Sequence, residues 1–218
     1  MPAGSTTDLP LSVPRSRDVR VGASSQIAVP IVWPETREGP AADSLEVASR
    51  STVTTAVRRV LVAGVGYSNL RDLSVGPALV GRLRQRPWPA GVEVEDLSYG
   101  AIHVLHWLQE GPRLDALVLL GAAARGREPG STHRYPWVAP PMTAEQVQER
   151  VAEAVTGVIS LDGLLVVLGY FGALPPRVTI IEVEPRDDDW GPDFSDVVDR
   201  ALDDVERLVE DEIERLLA

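Results

Sequence analysis

The chain has 218 residues, 44% of them hydrophobic, which is enough for one domain with a full core and short for two. It has no Cys, and all 21 basic residues are Arg; thiolate nucleophiles, disulfide scaffolds and Cys-held metals are excluded, as are the Schiff-base, P-loop and Ser-Lys chemistries that require lysine. The net charge of -11 gathers near the end, where Asp187 to Ala218 hold 13 acidic and 3 basic residues; this argues against a nucleic-acid partner and reads as the solvated face of a helix.

Residues 1–57 scatter Pro2, Pro10, Pro14, Pro30, Pro34 and Pro40 among Ser, Thr and Arg without a sustained period, and are expected to form a disordered tail. Within it, Ile27–Trp33 is a short apolar exception, an edge strand or a recognition peptide, whose Pro30 argues against a central strand. Neither an export signal nor a run of about 18 apolar residues is present, so a cytoplasmic protein that does not span a membrane is expected.

From Arg58 to Ala218 the texture is that of a single α/β domain. Val60–Val65 is a buried-type strand ending in glycines, and Ser74 is placed to cap a helix carrying Val75, Leu79 and Leu83, with Pro77 tolerated in its first turn. Val92–Asp96 alternates as a second strand, and Gly100 opens a helix with Ala101, Val104, Leu105 and Leu108 on one face. Ala116–Leu120 is the third strand, and a β-like segment spans Thr132–Trp137. Thr143 with Gln146 forms a capping box that starts a helix running to about Val155, and Ser160 caps an apolar helix over Leu161–Phe171. Val178–Val183 is the last strong strand, and from about Phe194 a helix repeats Val197, Val198, Ala201, Val205, Leu208, Val209 and Leu216 at spacings of three and four. Strands alternating with helices predict a three-layer, doubly wound, mostly parallel sheet of about five strands with helices on both faces, and a ligand cleft beyond the strand ends at Val65, Asp96 and Leu120.

That cleft offers little chemistry in the sequence. Gly64-Val-Gly66 permits close backbone approach, but Asn69 replaces the third glycine of a dinucleotide-binding turn and the helix starts too late to receive a pyrophosphate. His103 and His106 share a helix face opposite the core and read as surface residues, while His133 with Asp72 and Asp96 would be a sparse metal-binding trio. No G-x-S-x-G elbow accompanies the three histidines. Asp72 and Asp96 are the weak catalytic candidates: close together they could share a proton, whereas apart they would bond backbone amides.

The stretch Val60-Leu-Val-Ala-Gly-Val-Gly-Tyr-Ser-Asn-Leu-Arg-Asp-Leu-Ser-Val-Gly-Pro-Ala-Leu-Val-Gly-Arg-Leu83 resembles the opening of hydrogenase maturation endopeptidases. The match continues through the strand ending in Asp96, Asp115-Ala-Leu-Val-Leu-Leu120, Pro129-Gly130, Leu174-Pro-Pro-Arg-Val-Thr-Ile180 and Glu184-Pro185. The resemblance implies a phosphorylase/hydrolase-like fold and an enzyme that removes a C-terminal peptide from the large subunit of nickel-iron hydrogenase, guided by nickel. The ligands that it implies are an acid ending the first loop, an Asp ending the third strand and a His before the penultimate helix. These fall here on Leu73, Gly121 and Gly157, none of which carries a donor, and Tyr67 stands where a small Asn is usual.

The expectation is therefore a pseudoenzyme with no metal and no cofactor, its cleft lined by Gly64, Gly66, Tyr67, Asn69, Leu73, Gly121 and Gly157. It would bind a hydrogenase large subunit or an assembly factor. An active endopeptidase acting through Asp72 or Asp96, and a small-ligand or nucleotide-binding protein, are the alternatives.

Overall fold

The computed structural model describes residues 58–155 and 160–218. The tail expected over 1–57, with its Ile27–Trp33 segment, and the cleft position Gly157 lie outside the described residues.

Strands β1 (Val60–Gly64), β2 (Val92–Asp96), β3 (Ala116–Ala122), β4 (Thr132–Pro136) and β5 (Arg177–Val183) form a sheet in the order β2-β1-β3-β5-β4. All neighbours pair in parallel except β4, which runs antiparallel to β5 at the edge. Around the sheet stand helices α1 (Val75–Leu83), α2 (Ala101–Glu110), α3 (Ala144–Val155), α4 (Leu161–Tyr170) and α5 (Asp196–Leu217), with a 3₁₀ turn over Arg71–Ser74 leading into α1. Among the described residues no helix is long and apolar enough to cross a membrane.

Because successive side chains of a strand point to opposite faces, each central strand feeds two cores. Val60 and Val62, with Val118, Leu120 and Ile181, pack under α1 and α5. Leu61 and Ala63, with Leu117, Leu119 and Ile180, pack under α2 and α4. Burial on both faces is why these strands read as unbroken apolar runs.

Local signals decide several helix ends as expected. The Thr143 amide donates to Gln146 Oε1 at 2.9 Å and the Gln146 amide to Thr143 Oγ1 at 3.3 Å, a reciprocal capping box. The Gly163 amide donates to Ser160 Oγ at 3.0 Å at the start of α4. Ser74 differs: it stands at the N-cap of α1, but its hydroxyl accepts from the Leu70 amide at 3.0 Å and braces the 3₁₀ turn instead.

The acidic face of α5 is also not wholly solvated. Glu206 and Glu212 are buried. Glu206 pairs with Arg82 and Arg86, and Glu212 accepts from Thr179 Oγ1 on β5 at 2.6 Å and from Arg215 Nε at 2.9 Å. Burial opposes the charge on Glu212, but Arg215 and Thr179 prevail and hold its carboxyl below the ordinary range. A helix periodicity separates acids from apolar residues; it does not reveal which acids meet an arginine on a neighbouring element.

β1 and α1 approach closely through two glycines. A Cβ on Gly64 would stand 2.2 Å from the Gly76 carbonyl oxygen, and one on Gly76 would stand 2.2 Å from that of Val65. Gly76→Ala is expected to lower the unfolding free energy by about 3 kcal/mol, because backbone faces backbone and no side chain can swing away. Urea denaturation at neutral pH measures it, and an unchanged midpoint would contradict so tight an approach.

Candidate functional site

The order β2-β1-β3 makes the C-terminal ends of β1 and β3 a switch point, where the chain leaves toward different partners and a crevice opens. A cleft of about 270 Å³ lies there. Val65, Gly66, Tyr67 and Leu73 form one wall, Ala122 to Arg125 a second, and Ser160, Leu161 and Asp162 at the start of α4 the third.

The expected site residues divide sharply. Gly66, Tyr67 and Leu73 lie on the wall. A Cβ on Gly66 would come within 2.4 Å of the Leu73 carbonyl oxygen, and the Tyr67 amide donates to that oxygen at 3.1 Å, so the first loop folds tightly on itself. Gly64 is not a wall residue; it faces Gly76 beneath the loop. Asn69, with φ of 61°, is exposed and its carbonyl accepts from the Gly191 amide at 2.9 Å, outside the cleft. Gly121, also expected on the cleft lining, is buried beneath it instead, where an added Cβ would meet the Val65 carbonyl oxygen at 2.8 Å and Leu161 Cδ1 at 3.2 Å.

Asp72 and Asp96 do not form an acid pair. Asp72 is fully buried and accepts from the amides of Arg186, Asp187 and Ser195 at 2.9, 3.0 and 2.7 Å, and from the Ser195 hydroxyl at 2.7 Å. Its carboxylate thereby fastens the loop after β1 to the loop between β5 and α5, beside an Arg71–Asp187 ion pair at 3.1 Å. Asp96, at the end of β2, accepts from the Ser98 amide at 2.9 Å, and Ser98 Oγ in turn accepts from the Gly66 amide at 3.2 Å. Both acids hold backbone in place.

The histidines stay apart as well. His103 and His106 are exposed on α2, and His133 on the edge strand β4 contacts Ser131 Oγ at 3.1 Å. Among the described residues no three His, Asp or Glu side chains are grouped to hold a metal. Nickel does not fit at Leu73 and Gly121: one side chain is aliphatic, the other absent, and the space for a larger one is filled by the Val65 backbone.

The cleft is nevertheless not bare, because a charged network that the sequence pattern does not reveal stands behind its second wall and reaches it through Arg125. Glu182 on β5 has no solvent exposure and sits beside Gly121 in register. Its carboxylate accepts from Arg125 Nη2 at 2.9 Å, Arg127 Nη1 at 2.7 Å and the Tyr135 hydroxyl at 2.7 Å. Arg125 reaches on to Asp162, with Nη1 to Oδ2 at 2.7 Å and Nη2 to Oδ1 at 2.8 Å, a bidentate pair at the cleft mouth. Glu184 holds the same loop by its backbone, accepting from the Arg125 and Gly126 amides at 2.9 and 3.0 Å.

Electrostatics follow from these contacts. Burial works against ionisation of Glu182, but Arg125, Tyr135 and Arg127 overcome it and hold the carboxyl below the ordinary range. The Tyr135 phenol is pushed up to about 12, first by burial and then by the Glu182 carboxylate. Hydrogen bonds to Asp162 and Glu182 raise the Arg125 pKa further, so the guanidinium stays charged. The available signal was Glu182 itself, an acid inside an otherwise apolar strand, which requires a cation that Arg125-Gly-Arg127 supplies after β3.

Since the folded pKa of Glu182 lies below its usual 4.5, its ion pairs contribute stability above that pH and lose it as pH falls through the lowered value. Glu182→Gln is expected to cost about 3 kcal/mol at pH 7 and to flatten the acid limb below about pH 4.5. Urea titrations from pH 3 to 7 measure both, and an acid limb as steep as that of the parent would reject this assignment.

No protein-family model and no curated protein matches this sequence. Solved structures do. The hydrogenase maturating endopeptidase HybD from E. coli is 23% identical with a TM-score of 0.55, covering 72% of this chain and 93% of its own. A hydrogenase 2 maturation peptidase from a Thaumarchaeota archaeon is 24% identical with a TM-score of 0.50, covering 72% and 98%. An endopeptidase from Escherichia coli is 23% identical with a TM-score of 0.50, covering 69% and 89%. The chain has the α/β fold of the hydrogenase maturation endopeptidases, with a five-stranded, mostly parallel sheet as expected from the sequence.

Proposed function

We propose that this chain is a divergent, non-catalytic relative of the hydrogenase maturation endopeptidases, which uses their cleft to dock on a nickel-iron hydrogenase large subunit or on a factor that assembles it. The reading places it in the cytoplasm and gives it no bound nickel. The observation that carries it concerns the two described positions where the resemblance expects metal ligands: Leu73 stands on the cleft wall, and Gly121 lies beneath it, pressed against the Val65 carbonyl. A scaffold kept intact around positions without donors favours binding over cutting. The buried bonding of Asp72 and the Ser98 contact of Asp96 weigh against an acid pair that would replace the metal.

The full chain, incubated with a nickel-loaded precursor of the large subunit, is expected to co-purify with it while intact-mass measurement finds the C-terminus of the precursor unchanged. A shortened product would overturn the non-catalytic reading, and failure to retain the precursor or its assembly factors would overturn docking. Gly121→Asp combined with Leu73→Glu is expected not to restore cleavage and to lower stability by about 2 kcal/mol through overpacking at Gly121.

A further inference from the structure

The cleft presents a guanidinium in a particular state of readiness. Arg125 is fixed from behind: Glu182 takes its Nη2 and Nε, and Glu184 clamps its backbone amide. Its forward edge, Nη1 with Nη2, offers the parallel pair of donors that a carboxylate accepts. That edge is held by Asp162, whose side chain is 58% exposed, whereas Glu182 behind it has none of its surface in water. An ion pair so exposed contributes little and exchanges readily, while the buried pair does not.

Asp162 sits in the first turn of α4, where a negative charge meets the exposed amides of the helix start. Arg125 does not need Asp162 to keep its orientation, because Glu182 and Glu184 hold it. Adjoining the fork, Val65, Leu73, Ala122 and Leu161 give the cleft an aliphatic lining. Convergence of a pre-oriented cation with an aliphatic wall selects a ligand with both features.

We propose that this cleft receives an aliphatic carboxylate, with Arg125 taking the carboxylate and Asp162 acting as an internal stand-in that the ligand displaces. The ligand class is the free C-terminus of a peptide ending in an aliphatic residue, or a branched small acid of the same chemistry. No bond is made or broken; one carboxylate replaces another on the fork, and Asp162 turns to water. This rests on reading the cleft as a docking groove and is independent of which protein docks there.

The test uses the full chain and calorimetric titration with acetyl-Ala-Leu bearing a free C-terminus, with its C-terminal amide and with 4-methylpentanoate. The free acid is expected to bind and the amide to bind at least tenfold more weakly, as loss of a bidentate charged pair requires. Asp162→Asn removes the competitor and is expected to tighten the acid by roughly threefold, with added salt weakening it. Arg125→Gln is expected to abolish binding, but the acid–amide comparison on the unmutated chain decides the matter even if that variant folds poorly. Equal binding of acid and amide, no binding of either to the parent and Asp162→Asn chains, or weaker binding to Asp162→Asn would each overturn the proposal. Dipeptide tighter than 4-methylpentanoate supports a peptide end as the source, and parity supports a small acid. Because no hydrogenase subunit enters the titration, failure here leaves partner capture standing, and failure of capture leaves this site standing.

Discussion

A carboxylate with no access to water must be neutralised by the protein or lose its charge, and near the C-terminal end of β5 the chain has buried Glu182. Among the described residues its hydrogen-bond partners come from the segment following β3 and from the edge strand β4: two guanidiniums and a phenol. Their convergence determines where the Ala123–Gly130 loop runs, and that loop is a wall of the cleft. The Glu184 carboxylate, which caps two amides of the loop, pins the same segment a second time. The cleft is therefore shaped by electrostatics behind it as much as by the aliphatic side chains that line it.

The opposite wall is governed by backbone proximity. Gly66 lets the Leu73 carbonyl come close, Gly76 lets α1 lie against β1, and Gly121 lets the loop after β1 settle over the end of β3. These contacts leave the backbone compact beneath Leu73 and around Gly121, two positions whose side chains offer no metal donor. A metal centre needs the reverse, several side chains projecting into one open space, which Leu73 and Gly121 do not supply.

The strands and most helices were legible because their causes are local. Val60–Gly64 and Ala116–Leu120 are apolar without interruption since helices cover both faces, and Thr143 and Ser160 announce helix starts by bonds spanning three residues. The cleft position was legible too, from the alternation of strands and helices alone. What escaped the sequence depends on distant partners. The bonds between Asp72 and Ser195, and between Glu182 and Arg125, join segments whose proximity is set by sheet order, and no spacing in the sequence encodes it. The distinction between Gly64 and Gly66, two residues apart with the same side chain, is decided by what packs against each. Ser74 stands at a helix start, as its residue type predicts, yet its hydroxyl accepts from the Leu70 amide.

The bonds of Asp72 have one more consequence, which concerns time. Its acceptor oxygens join positions separated by 114, 115 and 123 residues, so closing that clasp carries a large loop entropy and requires the late segments to be in hand. β5 also lies between β3 and β4 in the sheet, so neither its pairing with β3 nor the clasp can be completed before residues 177–195 have been synthesised. The turn after β1, although it emerges early from the ribosome, receives its Asp72 bonds only once residues 186–195 are in place.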